Sequence, residues 1–351
     1  SPNDLLDQRD QLINELSAYI SVSIIEQDNG AQNVFIGNGQ ALVVGQSSVD
    51  LSIVPNATDV TRSEVGYGPG GINVSAQLTG GSIGGLLSVR QDVIDPARTE
   101  IDALAAGMIS TVNAQHTVGI TLSGNAGGNF FEPTTTPTPD AGNIRLAITD
   151  PRDIAVAFPI STTTTITNTG TAQLEVNTVD GSGVGFDPLN ALVSNLTFTY
   201  DSTNQEYIVG YDGDTTTTRI KYDPATDSGT VFDLSALSVP PHTDFPGANT
   251  PPLTVTLSGV PADTDAFTLT NSANGGFTSV GDNRNALALA ELQVTKVLNG
   301  GTQSYGDSYG ILVANVATRT NQADVGQKTQ QGLLDQTNLR YESVSGVNLD
   351  E

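Results

Sequence analysis

The chain of 351 residues contains no cysteine. That excludes disulfides, thiolate metal sites and cysteine nucleophiles together. Histidine is nearly missing as well: His116 and His242 are the two, so imidazole base or metal chemistry has only these positions to run through. Lys and Arg number 13 against 38 Asp and Glu, a net charge of −25. So few cations do not make a phosphate-tracking stripe, which argues against nucleic acid and against anionic membrane surfaces. No stretch approaches the ~20 apolar residues of a membrane helix, and no signal peptide is visible at Ser1. Charged residues amount to 15%, against roughly 25% in an average soluble protein. The polar surface comes instead from Thr, Ser, Asn and Gln. This composition fits an exported bacterial surface protein better than a cytosolic enzyme.

The length suits two or three domains. Ser1-Pro2-Asn3-Asp4 is a helix start signal, and Leu5, Leu12, Leu16 and Tyr19 recur near every 3.5 residues, which predicts an amphipathic helix of about twenty residues. Over residues 86–113 the positions Leu87, Arg90, Ile94, Ala97, Ile101, Leu104, Met108 and Thr111 keep a heptad spacing, with Arg90 and Thr111 as polar exceptions. Pro96 predicts a kink or a restart there, with Asp95 as the new cap. Residues 303–344 repeat the pattern through Leu312, Val316, Leu334 and Tyr341, despite Gly306, Gly310, Gly326 and Gly332. Three such seams at the start, middle and end of the chain predict an antiparallel bundle whose two ends close one domain around an insertion. Gly346 to Glu351 carries a second start signal, Asn348 with Glu351, which reads as a chain that continues.

Between the seams the signals are of strands. Residues 20–84 alternate short β-prone runs with turns such as Asp28-Asn29-Gly30 and Gly37-Asn38-Gly39, predicting flanking hairpins. Pro133–Pro139 marks a loop. Residues 159–274 hold 24 Thr, 13 acidic residues and only two basic ones, Arg219 and Lys221. Short alternating runs, broken at Asp180-Gly181, Asp212-Gly213 and a Pro240–Pro252 connection, predict an antiparallel sandwich or open barrel.

Motifs of chemistry are sparse. Gly66-Tyr67-Gly68-Pro69-Gly70-Gly71 matches G-x-G-x-x-G in letters, but the run after it reads as a strand rather than a helix, so it is read as a turn. H-E-x-x-H, Walker A and G-x-S-x-G do not occur. His116 follows the middle seam and is read as capping or packing the helix end; His242 is read as solvated. Asp201, Asp212, Asp214, Asp223 and Asp227 offer oxygen ligands of the kind calcium takes, but without EF-hand spacing, and Asp-Gly turns account for most of them. Tyr200, Tyr207, Tyr211 and Tyr222 would suit a glycan-binding face if exposed, and a core between sheets if not.

Asn3–Asp10, Phe35–Gly45, Gly80–Asn113 with Asn125–Phe131, Gly281–Leu292 and Ser343–Glu351 together resemble the flagellar hook-associated protein 1 family, across most of residues 1–150 and 275–351. The resemblance implies a structural component of the bacterial flagellum at the hook–filament junction, secreted by type III export. It implies an extracellular location and a role in motility. It also implies a ring of subunits between hook protein and the second junction protein, with terminal tube-forming helices outside this stretch.

The reading is then an α+β multi-domain chain: an elongated antiparallel helical bundle with flanking β hairpins (about 20–84) in residues 1–158 and 275–351, and an inserted Thr-rich acidic β domain in 159–274. Leu5, Leu12, Leu16, Leu87 and Ile94 are expected in the bundle core, with Ile101, Leu104, Leu312, Leu334 and Tyr341. No catalytic residue, cofactor or metal is expected, and the stretch by itself should be monomeric. The alternative is a surface adhesin or glycan-binding module carried by the β domain.

Overall fold

The computed structural model describes residues 2–28, 30–133, 141–177, 195–212, 217–234, 253–272 and 281–345. His242, Asp180-Gly181, Asp214, the Pro240–Pro252 connection and the Asn348/Glu351 signal lie outside the described residues. The fold is α+β, and the strands named below pair antiparallel. The chain forms two compact units, Ser1–Glu100 with Leu312–Glu351, and Ile101–Ile311.

In the first unit, helix α1 (Pro2–Tyr19) leads into a sheet of β1 (Val22–Glu26), β2 (Gln32–Ile36), β3 (Gln40–Val44) and β4 (Ser47–Ser48), ordered as numbered. A second sheet follows, of β5 (Leu51–Pro55), β6 (Ser63–Tyr67) and β7 (Ile72–Asn73). Helix α2 (Gly81–Val89) starts against the end of α1. A Cβ on Gly81 would sit 2.3 Å from the carbonyl carbon of Tyr19, and its φ of +59° is one that glycine adopts freely. Ile20, Ile36, Val74 and Leu78 are buried together, ringed by Leu16, Val22, Leu42, Val65, Tyr67 and Leu87. Each such fully buried side chain contributes roughly 1.5–3 kcal/mol.

The expected break at Pro96 takes the form of a π-helical turn. Arg90–Ile94 is π-helical, with the Asp95 N–H donating to the Arg90 carbonyl, and α3 (Asp95–Thr117) continues from it. A wider turn is how a helix absorbs a residue that has no N–H to give. Asp95 is helical rather than a cap; its carboxylate pairs with Arg62, and its carbonyl accepts from the Thr99 hydroxyl at 3.0 Å.

The second unit carries two sheets. One has the order β12 (Thr217–Lys221), β11 (Glu206–Tyr211), β10 (Leu196–Asp201), β15 (Ala266–Asn271), β8 (Ile160–Thr164). The other has β13 (Thr230–Asp233), β14 (Thr254–Ser258), β9 (Gln173–Val176). Alternate residues point inward, as Leu196, Phe198 and Tyr200 do in β10. Both sheets feed one core, with Phe198, Tyr207, Val255, Leu257, Phe267 and Leu269 fully buried in it. Helix α4 (Arg284–Glu291) and the start of α5 (Tyr305–Ser345) complete the unit.

The seam residues do not make the single buried core that their spacing suggests. Leu312 is buried and Leu104 half-buried, while Leu16 and Leu87 join the small core of the first unit. Leu5, Leu12, Ile94, Ile101, Leu334 and Tyr341 are exposed, from 40% at Ile101 to 73% at Tyr341. In α5 every residue from 317 to 343 is exposed. A heptad pattern states that a face needs a partner; it does not state that the same chain supplies one.

Candidate functional site

The most fully determined polar arrangement lies in the second unit, where the end of α3 meets the segment after it. Ile109, Asn113 and His116 share one buried helix face, at the three- and four-residue spacing of a helix. His116 is fully buried. Its Nε2 accepts from the Ala155 N–H at 2.8 Å, so Nδ1 carries the proton and donates to the Gly128 carbonyl at 2.7 Å. Burial pushes its pKa below the ordinary imidazole value, and the Gly128 bond opposes this only in part. The ring also meets Phe130 edge-on, with centroids 5.4 Å apart.

Asn113 bonds through both its oxygen and its nitrogen. Its Oδ1 accepts from the N–H groups of Phe130 and Phe131 at 2.9 and 2.8 Å, and its Nδ2 donates to the Phe131 carbonyl at 3.0 Å. Asn285, fully buried at the start of α4, donates to the Ala155 carbonyl at 2.6 Å and accepts from Gln115 at 2.7 Å. Thus α3, the strand-like segments around 119–131 and 154–158, and α4 are joined by side chains reading backbone groups. Gly119 and Gly127 permit this, since a Cβ there would lie 2.1 Å from Asn285 Nδ2 and from the His116 carbonyl. Both nitrogens of His116 are engaged; of the capping or packing expected of it, the structure shows packing, with the ring tied to the Gly128 and Ala155 backbone rather than to the end of α3.

Two more buried carboxylates are structural. Glu64 in β6 faces Arg90 at 2.7 Å and Asn56 at 2.9 Å. Burial would raise its pKa, but hydrogen bonds from Ser75, Asn56 and Arg90 prevail and hold it at about 2. Asp265 accepts from the N–H groups of Thr169, Gly170 and Ala262 at 2.8–2.9 Å, tying two loops of the β region. Sequence reasoning assigned no role to Asn113, Asn285 or Asp265. The one signal for Asn113 was its place on the same helix face as His116.

The four tyrosines offered for a glycan face are buried, Tyr207 and Tyr222 completely. Three of them, Tyr200, Tyr207 and Tyr222, pack on one another, with ring centroids 5.1 Å apart for Tyr200 and Tyr207 and 5.5 Å for Tyr207 and Tyr222. Burial pushes the phenols of Tyr207 and Tyr211 well above their ordinary pKa. The adhesin reading loses its binding face, because alternation put these rings on the inner side of the sheet. Asp201, Asp223 and Asp227 spend their oxygens on N–H and O–H groups of their own turns, as Asp201 does with Thr203 and Asn204. Among the described residues no three His, Cys, Asp or Glu gather to hold a metal ion. The G-x-G-x-x-G match is the hairpin between β6 and β7, with Gly68 and Gly71 at φ of +70° and +59°.

No helix among the described residues is long and apolar enough to cross a membrane. Comparison with known proteins points one way. Residues 1–131 match the family model of the flagellar hook-associated protein FlgK helical domain. All of the chain aligns with flagellar hook-associated protein 1 of Salmonella typhimurium, at 31% identity over 359 residues, and of Escherichia coli, at 29% over 374 residues. The chain spans 59% of the length of each of these relatives. The solved structure of the flagellar hook junction protein FlgK from Burkholderia pseudomallei superposes with a TM-score of 0.74 at 26% identity, over 98% of this chain and 79% of that one. Along its whole length the chain is similar to the flagellar hook-associated protein 1 family.

Proposed function

We propose that the protein is a structural component of the bacterial flagellum that forms the junction between hook and filament, outside the cell, with no catalytic role. The observation that carries this is the end-to-end structural match to a hook junction protein, at a TM-score of 0.74 over 98% of the chain. Internal chemistry agrees with it: His116 and Asp265 are spent on holding backbone, and Glu64 on holding Arg90 and Asn56. The proposed partners are further copies of the chain in a ring, hook protein on one side and the second junction protein on the other.

The exposed seams support an assembly role. We propose that the faces bearing Leu5, Leu12, Ile94, Ile101, Leu334 and Tyr341 are core positions of helix packing completed only in the assembled protein. We also propose that residues 159–274 are an insertion in the axial part of the chain. The shared core of the two β sheets supports this, since it draws on residues 158–269 and on no helix.

The test is complementation. In a bacterium lacking its own hook-associated protein 1, the full-length protein carrying this chain should restore filaments on hooks, seen by electron microscopy. Bare hooks, with the protein exported normally, would overturn the reading.

A further inference from the structure

Asn299-Gly300 is proposed here as a site of spontaneous covalent modification. We infer that Asn299 converts to aspartate and isoaspartate through a succinimide, ahead of the other Asn-Gly pairs whose glycine the structure describes.

The inference rests on a comparison inside one chain. Asn-Gly is the dipeptide in which the glycine nitrogen meets least steric hindrance in attacking the asparagine side chain. The sequence has four such pairs, at 29–30, 38–39, 274–275 and 299–300. At Gly30, Gly39 and Gly300 the space beside the Cα is equally open, with nothing within 4 Å of a built Cβ. They differ in the attacking nitrogen. The Gly30 N–H donates to the Gln27 carbonyl at 2.9 Å, and the Gly39 N–H to the Ile36 carbonyl at 3.2 Å. The Gly300 N–H has no acceptor among the described residues, and the Asn299 side-chain amide has no partner among them either. Both residues are exposed.

The turn explains why. Asn299 and Gly300 have φ of +49° and +68°, and the Gly301 N–H donates to the Leu298 carbonyl at 3.1 Å. In a turn closed by the N–H of its fourth residue, the N–H of the third, here Gly300, takes no part in the closure. Gly39 and Gly30 instead stand where their N–H closes the turn.

The chemistry balances with water alone. The Gly300 nitrogen, losing its proton, bonds to the Asn299 side-chain carbonyl carbon, and the amide nitrogen leaves as ammonia. Water then opens the five-membered ring at either carbonyl, giving aspartate or a backbone lengthened by one carbon as isoaspartate. The site is placed to matter. Leu298 is buried, and a Cβ on Gly107 of α3 would lie 2.3 Å from Leu298 Cδ2. Just beyond the turn, Ser304 and Asp307 form the reciprocal cap that starts α5, at 3.0 and 3.1 Å. A longer backbone and a new carboxylate therefore arise between a buried anchor and a helix start.

The test ages the purified folded chain at 37 °C and mildly alkaline pH. Peptide mass mapping then follows the +1 Da products, and isoaspartyl methylation scores isoaspartate. Asn299 should convert several-fold faster than Asn38 and Asn29, and the difference should shrink in urea, where no N–H is held. Asn299→Gly, which suits the positive φ, should remove that share of the methylation signal while leaving the melting temperature unchanged. Conversion of Asn38 or Asn29 as fast as Asn299 in the folded chain would overturn the inference. So would a ranking that survives unchanged in urea, because it would then owe nothing to the fold.

Discussion

The Ala155 N–H donates to Nε2 of His116 at 2.8 Å, across 39 residues of sequence and inside a fully buried site. The bond fixes the tautomer and forbids a proton on that nitrogen, since an imidazolium would set N–H against N–H.

Acid should therefore weaken the protein through His116. Its folded pKa lies below the ordinary 6.5, so below about pH 6.5 the unfolded chain binds a proton that the folded chain refuses. Stability should fall as pH drops from 6.5, whereas the contribution of Glu64 should be lost only from 4.5 down towards 2. Denaturant midpoints at pH 8 and pH 5.5 should differ more for the natural chain than for His116→Gln. Equal differences would remove His116 as the acid-sensitive group.

Asn113→Ala should cost about 2–4 kcal/mol. It strips partners from two part-buried N–H groups and a carbonyl, and each orphaned group costs about 1–3 kcal/mol before relaxation and water recover part of it. Urea unfolding followed by circular dichroism reads this directly. A loss under about 0.5 kcal/mol, the range of surface substitutions, would mean that the segment at 130–131 is not held by this side chain.

Two glycine-to-alanine changes should move in opposite directions. Gly119→Ala drives a Cβ to 2.1 Å from Asn285 Nδ2 and 2.8 Å from the Ala155 carbonyl, and should destabilise. Gly326→Ala, in an exposed stretch of α5 with open space around it, should raise helicity and add up to about 1 kcal/mol. Thermal melts with the same sign for both would contradict the two environments.

Leu334→Ala should change the stability of the isolated chain by no more than about 0.5 kcal/mol, because the side chain is exposed. Phe198→Ala, in the core between the sheets, should cost about 3–5 kcal/mol. In the assembled flagellum the order of importance should change, and Leu334→Asp should impair filament attachment in the complementation assay. Normal attachment would show that this seam contacts nothing.

Replacing residues 159–274 by a short Gly/Ser linker should leave the helical circular dichroism largely intact. The core of the β region contains no helical residue to lose. Collapse of the helical signal would mean that the boundary at 159 and 274 is drawn in the wrong place.

Local signals determined much of what is seen. Period-two alternation fixed which side of β10 faces inward, the Gly37–Gly39 turn set a hairpin, and heptad spacing located α3 and α5. These depend on neighbours within a few residues, which the chain itself carries. Tertiary structure alone decided the rest. Whether Tyr207 faced solvent or a core depended on a second sheet packing over it. Whether Ile101 and Leu334 were covered depended on a partner helix, and among the described residues none covers them fully. Asn113 finds the backbone of Phe130 and Phe131, and Asn285 that of Ala155, 130 residues away. Such pairings join atoms that no periodicity relates, and only the folded path of the backbone brings them within hydrogen-bonding distance.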